Sequence, residues 1–266
     1  MSAHSERPGV LYLVPTPLDF GMGTDELASL DQWLPRETLS VARRLTHWIT
    51  ENAKSTRAFL KRVDTVAGLA APLQEQHIAE LRREAHKKGD HNPQAGGEPE
   101  AREMLAPALA GHDIGLVSEA GMPAIADPGS SIVRAAHALG LQVVPLTGPI
   151  SLMLALAASG LNGQQFAFVG YAPQETAERA RRLRDLETLA LKSGQTQILI
   201  ETPYRNAALL RALLQTLHPH TRLAVCGALT LNQQASRSAL VSEWRQVKTL
   251  QESLPLAAPC VFLLGR

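Results

Sequence analysis

The stretch IGLVSEAGMPAIADPGSSIVRAAHALG, residues 114–140, decides the fold of the first half of the chain. Its apolar start predicts a buried strand over 114–117, and the pattern from Ser130 predicts a helix that ends at Gly140. Between them, glycines and prolines at 121, 123, 128 and 129 enforce a specific backbone path. The connecting loop could bind a ligand, or it could only join the strand to the helix.

The same alternation of strand and helix continues along the chain. Strand-like runs also lie at 10–14, 46–50, 142–145, 166–169, 196–203, 222–229 and 259–265. Helical patterns lie at 36–45, 53–62, 74–88, 101–113, 150–160, 176–192, 206–217 and 242–251, and 89–100 has the composition of a loop. This alternation predicts an α/β fold with much parallel pairing. The length favours two α/β domains, residues 1–148 and 149–266.

The composition limits the classes of partner. A net charge of +1 gives no broad attraction for polyanions, and 4% aromatic residues argue against nucleic-acid binding by repeated base stacking. Cys226 and Cys260 lack metal-ligand spacing, so we expect core residues in a reducing compartment and no metal site. No apolar run is long enough for a membrane span, and we expect a cytoplasmic protein.

Three loops rich in glycine and proline follow predicted strands of the first half. They are PTPLDFGMG at 15–23, SEAGMPAIADPG at 118–129 and LTGP at 146–149. The carboxyl ends of parallel strands share one sheet edge, so we expect the three loops to form a pocket there. None matches the common dinucleotide or P-loop motifs, although glycine allows close approach of backbone N–H groups to a ligand.

Charged side chains add candidates for binding. Glu119 could accept hydrogen bonds from ribose hydroxyls or cap backbone donors, whereas Asp127, before Pro128, is interpreted chiefly as a turn residue. The run from Arg179 to Arg184 places cations on one helix, where they form either a phosphate-binding patch or a solvated face. The i, i+2 histidines at 218 and 220 are interpreted as a solvated turn.

Six motifs in order give a resemblance to a known family. LYLVPTP, GLVSEAGMPAIADPG, VVPLTGP, LAASGL, FAFVGYAP and ETPYR resemble the tetrapyrrole methylase superfamily, most closely its branch that methylates ribosomal RNA ribose. The resemblance covers most of residues 10–266. It implies an S-adenosylmethionine-dependent methyltransferase of two α/β domains, with the cofactor in the cleft between them, and a homodimer.

The resemblance also implies which residues bind. By motif, the cofactor residues are Pro15, Ser118, Glu119, Ala120, Gly121, Pro123, Asp127, Pro128, Gly129, Gly148, Pro149, Tyr171, Pro203, Tyr204, Ala228, Leu229 and Thr230. Candidates for substrate RNA are Lys54, Arg179, Arg181 and Arg182, which together would form a local basic patch. No catalytic residue is assigned by motif, and Glu51 is the candidate.

Two motifs depart from the family pattern. The branch resembles A-E-D-T-R after its second strand, where this chain has Thr50, Glu51, Asn52, Ala53 and Lys54. R-E-L-T-K of the family is replaced by residues 227–231, GALTL, which carry no charge. RNA is the first substrate hypothesis because of the resemblance to this branch, although the lost charged residues count against it. A small-molecule or tetrapyrrole acceptor, or a cofactor-binding protein without catalysis, is the alternative.

Overall fold

The computed structural model describes residues 7–19, 29–82, 90 and 98–266. They divide into two compact units, Met1–Pro149 and Ile150–Arg266. Each unit is built around its own five-stranded sheet. In the described part of the chain, no helix is long and apolar enough to cross a membrane.

The sheet of the first unit is entirely parallel. Its strands are β1 (Leu11–Leu13), β2 (His47–Thr50), β3 (His77–Glu80), β4 (Ile114–Val117) and β5 (Val143–Pro145). They lie in the order β3-β2-β4-β1-β5. The α-helices are α1 (Arg36–Arg44), α2 (Ala53–Ala67), α3 (Glu98–Met104), α4 (Ala106–Leu109) and α5 (Ser130–Ala138). Short 3-10 turns occur at Leu30–Gln32 and Leu73–Glu75.

Local sequence signals explain several of these boundaries. Helix α1 begins directly after Pro35, whose fixed φ suits the start of a helix. Asn52 caps α2, since its Oδ1 accepts hydrogen bonds from the backbone N–H groups of Lys54 and Ser55. The predicted helix at 101–113 is divided into α3 and α4, with a proline in the first turn of α4.

The helix predicted at 74–88 is wrong over His77–Glu80, which form strand β3. All four residues pair in parallel with β2, from His47 opposite His77 to Thr50 opposite Glu80. β3 is an edge strand whose side chains are mostly exposed, so its sequence lacks the apolar alternation of a half-buried strand. Most of the loop predicted at 89–100 lies outside the described residues.

The sheet of the second unit is mixed. Its strands are β6 (Phe166–Tyr171), β7 (Thr196–Glu201), β8 (Arg222–Gly227), β9 (Ala235–Leu240) and β10 (Cys260–Gly265), in the order β6-β7-β10-β8-β9. Only β6 and β7 pair in parallel. The helices are α6 (Ser151–Ser159), α7 (Thr176–Ser193), α8 (Asn206–Thr216), α9 (Val241–Gln246) and α10 (Lys248–Glu252), with a 3-10 turn at Pro203–Arg205.

Each unit has its own hydrophobic core. In the first, Trp48 is buried against Gly115, and its indole N–H donates to Oε1 of Gln76 at 2.9 Å. In the second, α6 packs its apolar residues on β8 and β10, and Trp244 is buried on the side of α7 and α8. Cys226 and Cys260 are buried there as free thiols, as predicted.

Candidate functional site

The described parts of the three predicted loops of the first unit meet at the carboxyl edge of its sheet, while residues 20–23 of the first loop lie outside the described residues. Strands β4, β1 and β5 are parallel neighbours, so the loops that follow them leave the sheet side by side. Thr16 and Gly121 exchange backbone hydrogen bonds of 2.9 and 3.0 Å. A Cβ on Gly148 would lie 2.3 Å from Cγ of Pro15, so the first and third loops are in close contact. Candidates Ala120, Pro123, Pro128 and Pro149 belong to these same loops.

Strained backbone is confined to two candidate loops. Among the described residues, four residues other than glycine have a positive φ: Ala124 (64°), Ala126 (64°), Ala228 (51°) and Thr230 (69°). The first two lie in the loop after β4, and the others follow β8 in the second unit. A left-handed conformation costs an L-residue about 1–2 kcal/mol and is unusual for a β-branched residue. Such strain persists where a defined backbone shape has a use.

The carboxyl ends of β2 and β4 bring acidic side chains together. Thr50 pairs with Val117, so Glu51 and Ser118 are the first residues beyond the paired strands. One residue further on, Nδ2 of Asn52 donates to Oε1 of Glu119 at 2.8 Å. Asp127, later in the same loop, lies close enough to this edge for the negative charges of Glu51 and Glu119 to disfavour its ionisation. The acidic cluster, defined as Glu51, Glu119 and Asp127, therefore combines residues from the segments that follow two neighbouring strands, β2 and β4.

Burial and the acidic cluster change the titration of Asp127. Desolvation by burial, then repulsion from Glu51 and Glu119, raises the pKa of Asp127 to about 7. The nearby Ser118 hydroxyl counters a part of this rise, but no hydrogen bond of standard geometry joins its Oγ to any described residue. The interpretation of Asp127 as chiefly a turn residue missed this electrostatic environment, which arises from contacts distant in sequence.

Asp90 holds the end of the same loop, a role that no motif in the sequence indicates. Its carboxylate accepts hydrogen bonds from the N–H groups of Gly129 (2.8 Å) and Ser131 (2.9 Å) and from the hydroxyls of Ser130 (2.7 Å) and Ser131 (2.6 Å). These bonds outweigh the effect of burial and lower its pKa. Arg134 also donates to the backbone carbonyl of Asp90. The N-terminus of α5 is thus occupied by a carboxylate of the protein itself.

The candidates of the second unit also lie at one sheet edge. β6, β7 and β8 run in the same direction, and Cys260 of β10 pairs with both Glu201 and Gly227, near the ends of β7 and β8. Tyr171 ends β6, Pro203 and Tyr204 follow β7, and Ala228, Leu229 and Thr230 follow β8. Tyr204 is 82% exposed, and the guanidinium of Arg205 lies 5.4 Å from the centre of its ring.

The four basic residues that the sequence offers for RNA binding differ in exposure. Arg181 and Arg182 are exposed on α7, and Lys54 is exposed in the first turn of α2. Arg179 is half-buried and donates to the carbonyl of Gln174 at 3.2 Å, while its Nε has no hydrogen-bond partner among the described residues. Within the same part of the chain, no three His, Cys, Asp or Glu side chains are arranged to hold a metal ion.

Comparison with known proteins identifies the family. The family model described as Tetrapyrrole (Corrin/Porphyrin) Methylases matches residues 46–244. The chain belongs to the tetrapyrrole methylase family. The resemblance predicted from the six motifs is thereby confirmed, and with it the membership of a family of S-adenosylmethionine-dependent methyltransferases.

Relatives in this family are similar over most of the chain. The "Ribosomal RNA small subunit methyltransferase I" of Vibrio cholerae serotype O1 is 30% identical over 83% of this chain and 65% of its own length. The protein of that name from Xylella fastidiosa is 31% identical over 82% of this chain and 67% of its own. The alignments thus span about two thirds of these relatives.

A solved structure supports the tetrapyrrole methylase fold. The crystal structure of the methyltransferase CobJ aligns with a TM-score of 0.55 and 16% identity, over 97% of this chain and 94% of that one. At this identity the likeness concerns the fold alone. It confirms the predicted α/β fold of the tetrapyrrole methylase type, which the described residues build around two sheets.

Proposed function

We propose that this tetrapyrrole methylase family member is an S-adenosylmethionine-dependent methyltransferase that methylates ribosomal RNA at a ribose 2′-hydroxyl. The relatives at 30% and 31% identity carry the name of small-subunit ribosomal RNA methyltransferases, which supports this class of acceptor. The ribose hydroxyl follows from the resemblance of the motifs to that branch.

The confinement of strained backbone to two candidate loops is the observation that carries the proposal. All four non-glycine residues with positive φ in the described chain lie in loops that the motifs assign to the cofactor. Small side chains at Ala120, Gly121 and Ala124 permit close approach to backbone groups, and the Glu119 carboxylate can accept hydrogen bonds from hydroxyl or ammonium groups. These features fit S-adenosylmethionine, which when bound supplies a methyl group on a positively charged sulfur.

The RNA part of the proposal rests on exposed cations. Arg181 and Arg182 on α7 and Lys54 on α2 are free to reach phosphate groups, and the guanidinium fork matches phosphate oxygens. We also propose that the protein works as a homodimer in the cytoplasm, in line with the motif resemblance. Sedimentation at several concentrations tests the dimer, and a monomer throughout would contradict it.

Two measurements, made one after the other, test the proposed function. Calorimetry with S-adenosylmethionine and with its demethylated product should show binding of both, and binding of neither would overturn the enzyme hypothesis. Radioactive methyl from the cofactor should then pass to small ribosomal subunits that lack the ribose methyl group. Subunits that already carry it are the control. Transfer to a tetrapyrrole but not to RNA would favour the alternative, and cofactor binding without any transfer would indicate a protein without catalysis.

A double variant tests the basic patch. Arg181→Ala with Arg182→Ala should weaken RNA binding and reduce its salt dependence, because fewer counterions are released, while cofactor affinity stays unchanged. Arg211→Ala removes another exposed arginine, from α8, and is the matched control. Equal loss of RNA affinity in both proteins would contradict the assignment of the patch.

A further inference from the structure

We propose that the outward side of helix α2 binds phosphate groups of the RNA strand that is methylated, through a row of three cations. This row, the cation stripe, consists of Lys54, Arg57 and Lys61. The inference rests on the proposed function and deepens it, because the motif resemblance assigns only Lys54 of this helix to RNA. Arg57 and Lys61 lie outside every motif that carries the resemblance.

The three cations lie on one side of α2. They are spaced three and four residues apart, so at about 100° per residue their side chains lie within about 60° of one another. All three are exposed. The opposite side carries the buried residues of the helix, which are Thr56, Phe59, Leu60 and Val63. At 1.5 Å per residue the stripe is about 10 Å long, which matches about three phosphate groups of one strand.

The stripe has no acidic partner in the described part of the chain. None of its three side chains forms an ion pair or a hydrogen bond with a described residue. Asp64, the single acid of α2, accepts instead from the backbone N–H of Leu69 at 2.9 Å. Arg57 and Lys61 repel each other at their i, i+4 spacing, and the helix dipole disfavours Lys54 in the first turn. Since a solvated helix face usually alternates the two signs of charge, the stripe indicates an anionic ligand.

Helix α2 is joined to two of the loops that the motifs assign to the cofactor. Asn52, which caps the helix, donates from Nδ2 to Glu119 of the loop after β4 at 2.8 Å. Arg62, the fourth cation of α2, forms a 2.6 Å ion pair with Asp19 of the loop after β1, and both side chains are largely buried. The stripe therefore has a fixed position relative to these loops. It begins at Lys54, four residues after the end of β2 at the same sheet edge.

The chemistry of the stripe fits a nucleic-acid strand better than a membrane surface. Lysine and arginine bind phosphate groups whatever the base sequence. A helix that binds a membrane needs exposed apolar side chains beside its cations, but the apolar side of α2 is buried in the core of the first unit. Because the net charge is only +1, attraction for RNA must come from a local group of cations. A strand held along the stripe would lead its next nucleotide past Lys54 to the cofactor loops.

The salt dependence of RNA binding tests the stripe. The probe is a fluorescently labelled single-stranded RNA, and its binding to the full chain is followed by anisotropy at several KCl concentrations. The triple alanine variant carries Lys54→Ala, Arg57→Ala and Lys61→Ala. Each neutralised phosphate of a single strand contributes about 0.7 to the slope of log K against log salt, so this variant should lose about 2 from the magnitude of the slope. Its affinity at low salt should fall by about tenfold or more.

A matched variant controls for net charge. Arg102→Ala, Lys192→Ala and Lys248→Ala together remove the same charge from exposed positions on α3, α7 and α10. This control variant should keep the wild-type slope, because the contacts are local to α2.

The kinetics separate RNA binding from catalysis. With small ribosomal subunits that lack the ribose methyl group, the triple alanine variant should raise KM by about tenfold or more. Its kcat and its Kd for S-adenosylmethionine should change less than about threefold. A charge-preserving variant with Lys54→Arg, Arg57→Lys and Lys61→Arg should keep the wild-type KM within about threefold, since both groups neutralise phosphate. This rescue would not follow from loss of fold.

Three results would overturn the inference. They are a wild-type slope in the triple alanine variant, an equal loss of slope in the control variant, and binding of the stripe to phosphatidylserine vesicles but not to RNA. In each case, methyl transfer from the wild-type protein to small ribosomal subunits would leave the proposed function intact. RNA binding through the stripe without methyl transfer would contradict the proposed function alone. A wild-type protein that neither binds nor methylates RNA would overturn both.

Discussion

Asn52 connects helix α2 to the acidic cluster because an amide carries both an acceptor and a donor. Its Oδ1 caps α2, and its Nδ2 donates to Glu119 at 2.8 Å. An aspartate at this position, as in the family pattern, would keep the cap but would place another negative charge beside Glu119. Asparagine at residue 52 thus caps α2 without adding a negative charge next to Glu119.

Replacing Asn52 by aspartate should show repulsion from Glu119 as a pH-dependent loss of stability. Asn52→Asp should lower the free energy of unfolding at pH 8 by about 1–2 kcal/mol, because it loses a hydrogen bond and adds a like charge. The new carboxyl would have a raised pKa in the folded state, so the loss should shrink as the pH falls toward 4. Urea unfolding at several pH values measures this change in the free energy of unfolding.

Asn52→Ala is the matched control for this prediction. It removes the cap and the donor without adding a charge, so its loss of stability should vary little with pH. A constant loss for Asn52→Asp between pH 4 and 8 would contradict the repulsion.

At the scale of elements, the N-terminus of α5 depends on a residue almost forty positions earlier. Asp90 occupies the free N–H groups of the first turn and so fixes the end of the loop after β4. Asp90→Ala should cost about 1–3 kcal/mol of stability, and Asp90→Asn less, because the amide still accepts hydrogen bonds. Amide hydrogen exchange at Gly129 and Ser131 should accelerate in Asp90→Ala. Unchanged exchange at both groups would contradict the cap.

Adding a single methyl group at Gly148 tests the contact between the loops that follow β1 and β5. Gly148→Ala would place Cβ 2.3 Å from Cγ of Pro15, so one loop must move, at a cost of roughly 1–3 kcal/mol. Affinity for S-adenosylmethionine should fall as well. Gly163→Ala has open space around its Cβ and no positive φ, and is the control. Equal thermal stability of the two variants would show that the loops adapt.

The helices and strands also show which parts of the fold could be predicted from sequence patterns. The strands β1, β2, β4 and β5 and their helices are predictable, because each is an apolar run or an amphipathic helix with its own boundary signals. β3 and β9 are not, since HIAE and ASRSAL lack an apolar face and become strands only by pairing with β2 and β8.

The candidate site was predictable to a similar extent. The convergence of three loops follows from parallel strands, whereas the role of Asp90 and the charge environment of Asp127 depend on contacts between distant segments. The pairing of Asn52 with Glu119 belongs to the same class, because it requires β2 and β4 to be neighbours.

At the scale of the whole molecule, each of the two units has a separate core. The buried clusters of residues 150–266 include α6 and involve only residues of that unit. We therefore expect the fragment 150–266 to fold by itself with a cooperative unfolding transition.

The two cysteines offer a readout for that fragment. Burial raises the pKa of Cys226, and that of Cys260 to about 12. Both thiols should react with Ellman's reagent only after unfolding, since the thiolate is the reactive form. The full chain treated in the same way is the control. Rapid reaction in the fragment but not in the full chain would show that the unit does not fold alone.

The alanines at 124 and 126 have a consequence for the thermodynamics of ligand binding. Glycine would adopt their left-handed φ without cost, but it would also leave the free loop many other conformations. Alanine restricts the loop to fewer conformations, so the loop loses less conformational entropy when a ligand binds to it. Calorimetry should show a smaller entropic penalty than in a variant with glycine at both positions, even where the two affinities are similar.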